Sequence, residues 1–297
     1  MSTQPFIAST LSEGETILKK RFADLGYLFI KNGVAAEHCQ SLLDDVLAEL
    51  SPHVEWSPDR LLPTLKGEPF YETDPLFDEI YPEIQALESF HQFFHHESVH
   101  QLMQITSGEN PFVYPMKMAR ISTPKKLGYE TPPHQDAHSH QAPESMCGIW
   151  VALHEVTENM GRLMVLPKSH KRGIRPVHQA QGVGGVQCEI YDDETLWHTG
   201  NVEQGDVILF HACCVHKAEP NRSEDVVRLS VDTRFCPYGE PLFTSNLYPH
   251  HGLRIPKLDW NYIYKNWASP AHQFYWKDYP DLHGPDDSQW IALAASK

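Results

Sequence analysis

The sequence predicts a mainly β protein with flanking helices. Three observations carry that expectation. From Val113 onward, short alternating or apolar runs recur between turn residues, with Gly, Pro, Asn and Asp as punctuation. The first 112 residues instead carry apolar positions three and four apart, the helical spacing. The middle of the chain lacks the strand–helix alternation of a parallel α/β sheet, so the strands are expected to form a sandwich or barrel.

In chain order, Ser12-Glu13-Gly14-Glu15 reads as a capping box opening a helix through Phe22 and Leu25, ended by Gly26. Tyr27 to Ile30 is a short apolar strand. Val34 to Leu50 is a second amphipathic helix, with Leu42, Leu43, Val46, Leu47 and Leu50 on one face. A proline-broken stretch follows from Pro52 to Pro82. A third helix is expected from about Glu83 to Ile105, closed by Ser107-Gly108. Strands are expected at Val113 to Ile121, Cys147 to Leu153, Arg162 to Leu166, Val207 to Phe210 and Val226 to Phe235. Residues 240–297 are rich in Pro, Trp and Tyr and read as an ordered extension packed on the β core. With no repeat or low-complexity segment, residues 1–297 read as one domain: a helical part (1–112), a β core (113–239) and the extension (240–297).

Composition narrows the function. The 297 residues suffice to bury a core, and 41% hydrophobic with 21% charged residues is the balance of a soluble globular protein. The 24 basic and 39 acidic residues give a net charge of −15, which argues against nucleic acid or an anionic membrane as partner and favours solubility. Six cysteines without a C-x-x-C pair read as reduced thiols. With no bilayer-length apolar run and no signal-peptide pattern at the amino terminus, a cytoplasmic location is expected.

His134-Gln135-Asp136 is the most informative stretch. Two residues apart on an extended strand, His134 and Asp136 point to the same face. A distant histidine added to them gives two imidazoles and one carboxylate on one side of a metal, the open arrangement of non-haem Fe(II) oxygenases. His216 is favoured over His211 as that third ligand. The turn Lys217-Ala218-Glu219-Pro220-Asn221 puts His216 at a strand end, whereas His211, deeper in its strand, suits a buried hydrogen-bonded role. Continued alternation would place His138 and His140 on the same face as substrate-side or surface residues. In Val226 to Val231, Arg228 and Ser230 share a face. An arginine on an inward face needs an anion, either a structural Asp or Glu or a bound dicarboxylate gripped by the guanidinium with the Ser230 hydroxyl assisting.

These motifs together resemble the phytanoyl-CoA dioxygenase family of Fe(II)/2-oxoglutarate oxygenases over most of the chain. The resemblance rests on the opening helix with Gly26-Tyr27, on His134-Gln135-Asp136 after Thr131-Pro132-Pro133, and on Trp150 to Leu153, Glu158 to Leu163 and Leu166-Pro167-Lys168-Ser169-His170. It continues through Gly205-Asp206 to His216, Asn221 and Arg228-x-Ser230. It implies a double-stranded β-helix, a jelly-roll or cupin-like core, with Fe(II) held by His134, Asp136 and His216. Arg228 would bind the distal carboxylate of 2-oxoglutarate beside Ser230. Dioxygen would be the second cosubstrate, and a C–H bond of a small metabolite or natural-product intermediate would be oxidised with release of succinate and carbon dioxide. Lys168 departs from the family's usual Gly, which implies a local loop difference. Asp136 occupies the position that halogenating relatives give to a small residue, so hydroxylation or a related oxidation is expected.

Other residues enter as secondary candidates. Arg120 and Thr131 are expected near the cosubstrate; for Arg120 the alternative is a surface salt bridge. Gln135 and Trp150 are candidate pocket residues, and Trp260 to Tyr264 is a candidate lid or cover. Two rival functions are set against the oxygenase. His96-Glu97-Ser98-Val99-His100 matches the H-E-x-x-H of zinc hydrolases, although Met103 stands where the metzincin continuation needs Gly. A degenerate barrel that only binds ligands is the other, against which all three ligands and Arg228 argue.

Overall fold

The computed structural model describes residues 2–125 and 127–284. It is mainly β with flanking helices, as the sequence predicts. One sheet has six strands in the order Ala8–Ser9, Tyr27–Ile30, Val207–His211, Cys147–Ala152, Arg228–Pro237 and Pro111–Ser122. The second has four, in the order Ser2–Pro5, Leu196–Thr199, Leu163–Val165 and His216–Ala218. The chain passes from the large sheet at His211 to the small one at His216 and returns at Arg228, so the two sheets are laced together by consecutive segments.

Side-chain alternation explains why the central strands are apolar without a break. Trp150, Ala152, Ile208 and Phe210 pack with Leu163 and Val165 of the small sheet, forming the core between the sheets. Their neighbours Ile149, Val151, Val207 and Leu209 face the other way and pack with Leu42, Leu43, Val46 and Leu102 of the helical layer. Both faces of the large sheet are thus covered, and each fully buried aliphatic contributes roughly 1.5–3 kcal/mol. Gly148 is required here: a Cβ would lie 2.2 Å from the Phe210 ring. Gly205, at φ +86°, turns the chain ahead of Val207, and Asp206 staples that turn. The Asp206 carboxylate accepts from Lys31 Nζ (2.7 Å) and from the backbone N–H groups of Asn32 (2.9 Å) and Glu203 (2.8 Å).

The helical part differs in detail from expectation. The capping residue is Thr10, whose backbone N–H donates to Glu13 (2.8 Å), and the first α-helix, Glu15–Leu25, starts after Gly14. The single third helix is three: Pro75–Ala86, Glu88–Phe93 and Glu97–Ser107. Pro75 begins the first of them, where its missing N–H costs nothing, and Leu87 and His96 leave helical geometry at the two breaks. In the extension, Trp260–Tyr264 is a short helix whose Tyr262 hydroxyl donates to Glu83 of the Pro75–Ala86 helix. The rest of the extension, 285–297, lies outside the described residues. Among the described residues no helix is long and apolar enough to cross a membrane.

Candidate metal centre and its cavity

His134 and His216 meet through their backbones. Each N–H donates to the other's carbonyl, at 3.0 and 3.1 Å, in an isolated antiparallel bridge. The rings follow, with centroids 4.1 Å apart. Nδ1 of His134 lies 2.9 Å from the Pro132 carbonyl and Nδ1 of His216 lies 3.0 Å from the Cys214 carbonyl. A carbonyl only accepts, so both Nδ1 atoms carry the proton and both Nε2 lone pairs are free. These lone pairs face one carboxylate oxygen: Asp136 Oδ1 is 3.9 Å from Nε2 of each. The three donor atoms all lie within 4.8 Å of one another and can hold a metal ion.

In place of the strand expected through His140 there is an isolated bridge at His134, Gln135 is extended, and Asp136–Ser139 forms one helical turn. This places Asp136 near the two imidazoles but removes His138 and His140 from a common strand face. His138 is half-buried, off the cavity. His140 returns by the helical spacing instead, with Nε2 3.9 Å from Asp136 Oδ1. Its Nδ1–H donates to Asn246 Oδ1 (3.1 Å), an assignment fixed because Asn246 Nδ2 donates to the His140 carbonyl (2.7 Å).

A buried chain of alternating charges supports the centre. Arg234 grips both oxygens of Asp136, Nε to Oδ2 at 2.7 Å and Nη2 to Oδ1 at 2.9 Å. Its Nη1 donates to Asp232 (2.7 Å), Asp232 in turn accepts from Arg120 Nε (2.8 Å), and Arg120 Nη1 reaches Glu72 (3.5 Å). Burial alone would raise the Asp136 carboxyl, but Arg234 and the imidazoles hold it well below the usual carboxylate range. Burial and the adjacent His216 push His134 down to about 3, so it stays neutral and ready to ligate.

Arg228 is buried, and its Nη1 donates to Ser230 Oγ at 3.1 Å. Among the described residues it has no carboxylate in ion-pair contact, and its Nε has no hydrogen-bond partner. Burial and the neighbouring Arg120 pull it down to about 10, the sign of a cation lacking its anion. Arg228 lines a small recess of about 50 Å³ with Arg120, Thr131 and Asn221. The recess shares Arg120 and Thr131 with a larger cavity of about 580 Å³ that contains His134 and Asp136. Metal and dicarboxylate therefore both find suitable groups: three convergent donors for the one, an unneutralised guanidinium with a hydroxyl beside it for the other.

The remaining candidates fall on both sides. Arg120 does line the cavity, but it is a buried ion-pair member bonded to Asp232 and Glu72, so the salt bridge weighed as its alternative is internal and not at the surface. Thr131 is half-buried on the cavity wall, and its carbonyl accepts from the Ala218 N–H (3.1 Å). Gln135 is no pocket residue. Its amide donates to the Gly173 and Cys213 carbonyls (2.8 and 2.7 Å) and accepts from the Arg175 N–H (2.8 Å), pinning three loops. Trp150 is core, because it points between the sheets. His211 Nδ1 accepts from the Cys213 N–H (3.0 Å), away from the triad. The H-E-x-x-H segment makes no ligand group: His96 is an exposed helix cap accepting from the Ser98 N–H (3.3 Å), and Glu97 is exposed. The Trp260–Tyr264 segment is cover rather than lid; Trp260 Nε1 donates to the Leu247 carbonyl (2.6 Å).

Sequence reasoning missed Asp232, Arg234, Glu72, His250 and His251. The first two had a signal, since 228, 230, 232 and 234 alternate onto one strand face. The last three sit in the proline-broken stretch and the aperiodic extension, where no spacing marks them.

Residues 22–230 match the family model described as phytanoyl-CoA dioxygenase (PhyH). The chain is 25% identical over 243 residues to the 1-deoxypentalenic acid 11-beta-hydroxylase of Streptomyces arenae, covering 76% of this chain and 83% of that one. It is 25% identical over 158 residues to the peroxisomal phytanoyl-CoA dioxygenase of Bos taurus, covering 50% and 47%. Among solved structures, the epimerase SnoN in complex with Fe3+, alpha ketoglutarate and nogalamycin RO superposes with a TM-score of 0.56 at 18% identity, over 78% of this chain and 86% of that one. The fold is therefore that of a jelly-roll non-haem oxygenase. The chain belongs to the phytanoyl-CoA dioxygenase family, and it is an Fe(II)- and 2-oxoglutarate-dependent oxygenase that uses dioxygen.

Proposed function

We propose that His134 and His216, through Nε2, and Asp136, through Oδ1, hold Fe(II), and that Arg228 with Ser230 receives the distal carboxylate of 2-oxoglutarate. Thr131 and Arg120 line both the recess of Arg228 and the cavity of the metal centre. The observation that carries this reading is the buried Arg228 guanidinium, which among the described residues has no carboxylate partner, in a recess that shares Arg120 and Thr131 with the cavity of a three-donor metal centre. The metal and cosubstrate supply the oxidising chemistry, with succinate and carbon dioxide as coproducts.

The chain's own residues do the positioning. The Pro132 and Cys214 carbonyls fix both imidazole tautomers, which is how outer partners orient ligating histidines. The Arg234 fork keeps Asp136 ionised and fixes its plane. The Phe210 ring, 4.3 Å from that of His216, closes the centre on its core side against water.

The substrate is a small natural-product intermediate oxidised at a C–H bond. Supporting this are the cavity of about 580 Å³ with Met116, Met118, Tyr71 and Tyr129 in its wall, and the relatives that act on such compounds. Asp136, as the carboxylate ligand, favours hydroxylation or a related oxidation over halogenation. The same reading gives the enzyme neither nucleic acid nor membrane as partner, in keeping with a net charge of −15, and places it in the cytoplasm, in keeping with six free cysteines.

Enzyme supplied with Fe(II), ascorbate and 2-oxoglutarate is expected to form succinate. Arg228→Ala should raise the KM for 2-oxoglutarate at least about thirtyfold, the scale of removing one partner of a buried charge pair. An unchanged KM, or succinate formation that survives Asp136→Ala, would refute the assignment.

A further inference from the structure

Glu72, His250 and His251 form a second cluster in the same cavity, with donor atoms close enough for a metal ion. The hydrogen bonds around it point to a different use. Tyr81 Oη accepts from Gln85 Nε2 (2.9 Å) and from the Ala119 N–H (3.3 Å), so its single proton goes to His250 Nδ1 at 2.7 Å. The Gln85 amide is oriented by its second bond, Nε2 to the Lys117 carbonyl at 3.0 Å. His250 is thus an acceptor at Nδ1 and carries its proton on Nε2. The same holds for His251, whose Nδ1 accepts from Arg254 Nε (3.3 Å) while Nε2–H donates to Glu72 Oε1 (2.9 Å). A metal would require both Nε2 atoms bare, and would sit beside the Arg120 and Arg254 cations. The cluster is built as donors around a carboxylate instead.

One of those donors is unused. His250 Nε2–H stands 4.0 Å from Glu72 Oε1, beyond a hydrogen bond, and meets no other acceptor among the described residues. A group placed between the two must accept from His250 and donate to Glu72. A hydroxyl does both; an ether or ketone only accepts, and a carboxylate cannot donate to Glu72.

Charge leads to the same class of ligand. The chain Glu72–Arg120–Asp232–Arg234–Asp136 carries one net negative charge, and Arg228 one positive. A divalent metal and a dicarboxylate cancel each other, and Arg254 is paired with Asp78 at 2.5 Å. With cofactor and cosubstrate bound, the wall has no surplus charge to meet an ionised substrate group in a low-dielectric cavity.

We propose that His250 Nε2–H and the Glu72 carboxylate form a subsite for a neutral hydroxyl group of the substrate, with His251 and Arg120 holding Glu72 in place. This rests on the oxygenase reading above, which sets the occupants of the rest of the cavity.

The test uses enzyme loaded with Zn(II) and 2-oxoglutarate and three fluorinated probes followed by 19F line broadening. They are 4-(trifluoromethyl)cyclohexanol, its methyl ether, and 4-(trifluoromethyl)cyclohexanecarboxylate. The alcohol is expected to bind about ten- to a hundredfold more tightly than either comparator, the scale of a hydrogen bond made to a charged acceptor. That preference should fall to within about twofold in Glu72→Gln and in His250→Phe. Equal binding of alcohol and ether, preference for the carboxylate, no binding of any probe, or a preference kept in both variants would each overturn the subsite. Succinate formation by the unaltered Fe(II) enzyme, and the Zn(II) affinity of the same preparation, are read separately, so failure of the oxygenase reading is distinguished from failure of the subsite.

Discussion

Arg234 decides which way Asp136 faces. Its fork meets both carboxylate oxygens, and Oδ1 is left also facing the two imidazole nitrogens at 3.9 Å. Arg234→Lys keeps the charge but cannot meet both oxygens of Asp136 while also reaching Asp232. We expect Co(II) or Fe(II) affinity, measured by anaerobic calorimetry, to fall about 10- to 100-fold, as when other supports of metal ligands are removed. Unchanged affinity would show that Asp136 is oriented by its backbone alone. Arg234→Leu should also cost about 3–5 kcal/mol in denaturant unfolding, because Asp136 and Asp232 lose a shared buried counter-ion. At this scale the sequence exposes what is repetitive and hides what is not. Arg228, Ser230, Asp232 and Arg234 fall on one face of one strand, so the supporting residues were as legible as Arg228. Glu72 and His250 lack any such pattern, because tertiary contacts alone bring segments 178 residues apart to one wall.

The turn Leu166-Pro167-Lys168-Ser169-His170 shows how an element reaches the site. Lys168 is left-handed, at φ 67° and ψ 0°, and its N–H donates to the Leu25 carbonyl (2.7 Å). Ser169 Oγ donates to the Leu166 carbonyl (2.7 Å) and accepts from the Val215 N–H (2.8 Å), fixing the residue next to His216. The family's usual Gly at this position suits that backbone, whereas lysine adopts it at a cost. Lys168→Gly should therefore raise unfolding stability by up to about 1 kcal/mol, less what glycine loses to unfolded-chain entropy, and Lys168→Val should lower it. A stabilising Val variant would contradict the argument. Elements were legible where burial imposed a period, as in Ala36–Leu50 and the central strands. They were not where a local break competes with the pattern. Nothing in the alternation from His134 to His140 announces the helical turn at Asp136, because that turn is set by the Ala137 N–H donating to the distant Ala212 carbonyl (3.0 Å).

Across the whole molecule, the Pro111–Ser122 strand separates two environments. Met116, Met118 and Arg120 face the cavity, while Lys117 points the other way into the helical layer. Its ammonium donates to the Tyr114 carbonyl (3.2 Å) and Tyr275 Oη (3.2 Å), and His91, His95, His100 and His272 surround it. No carboxylate pairs with it among the described residues, and burial pulls it from 10.5 down to about 7. Unfolded, the lysine keeps its proton up to about pH 10.5; folded, it gives the proton up near pH 7. Between those values the unfolded chain binds more protons, so stability rises with pH, at most by about 1.4 kcal/mol per pH unit from this group. Below pH 7 both states are protonated and the folded one carries the full cost of a buried, unpaired cation. Lys117→Met keeps the length and removes the charge. Urea unfolding followed from pH 6 to 10 should show the variant more stable than the parent by several kcal/mol at pH 6 to 7, with the gap closing steadily toward pH 10. Parallel stability profiles would mean that the ammonium stays protonated in the folded protein and is neutralised by neighbours other than those around Tyr114 and Tyr275.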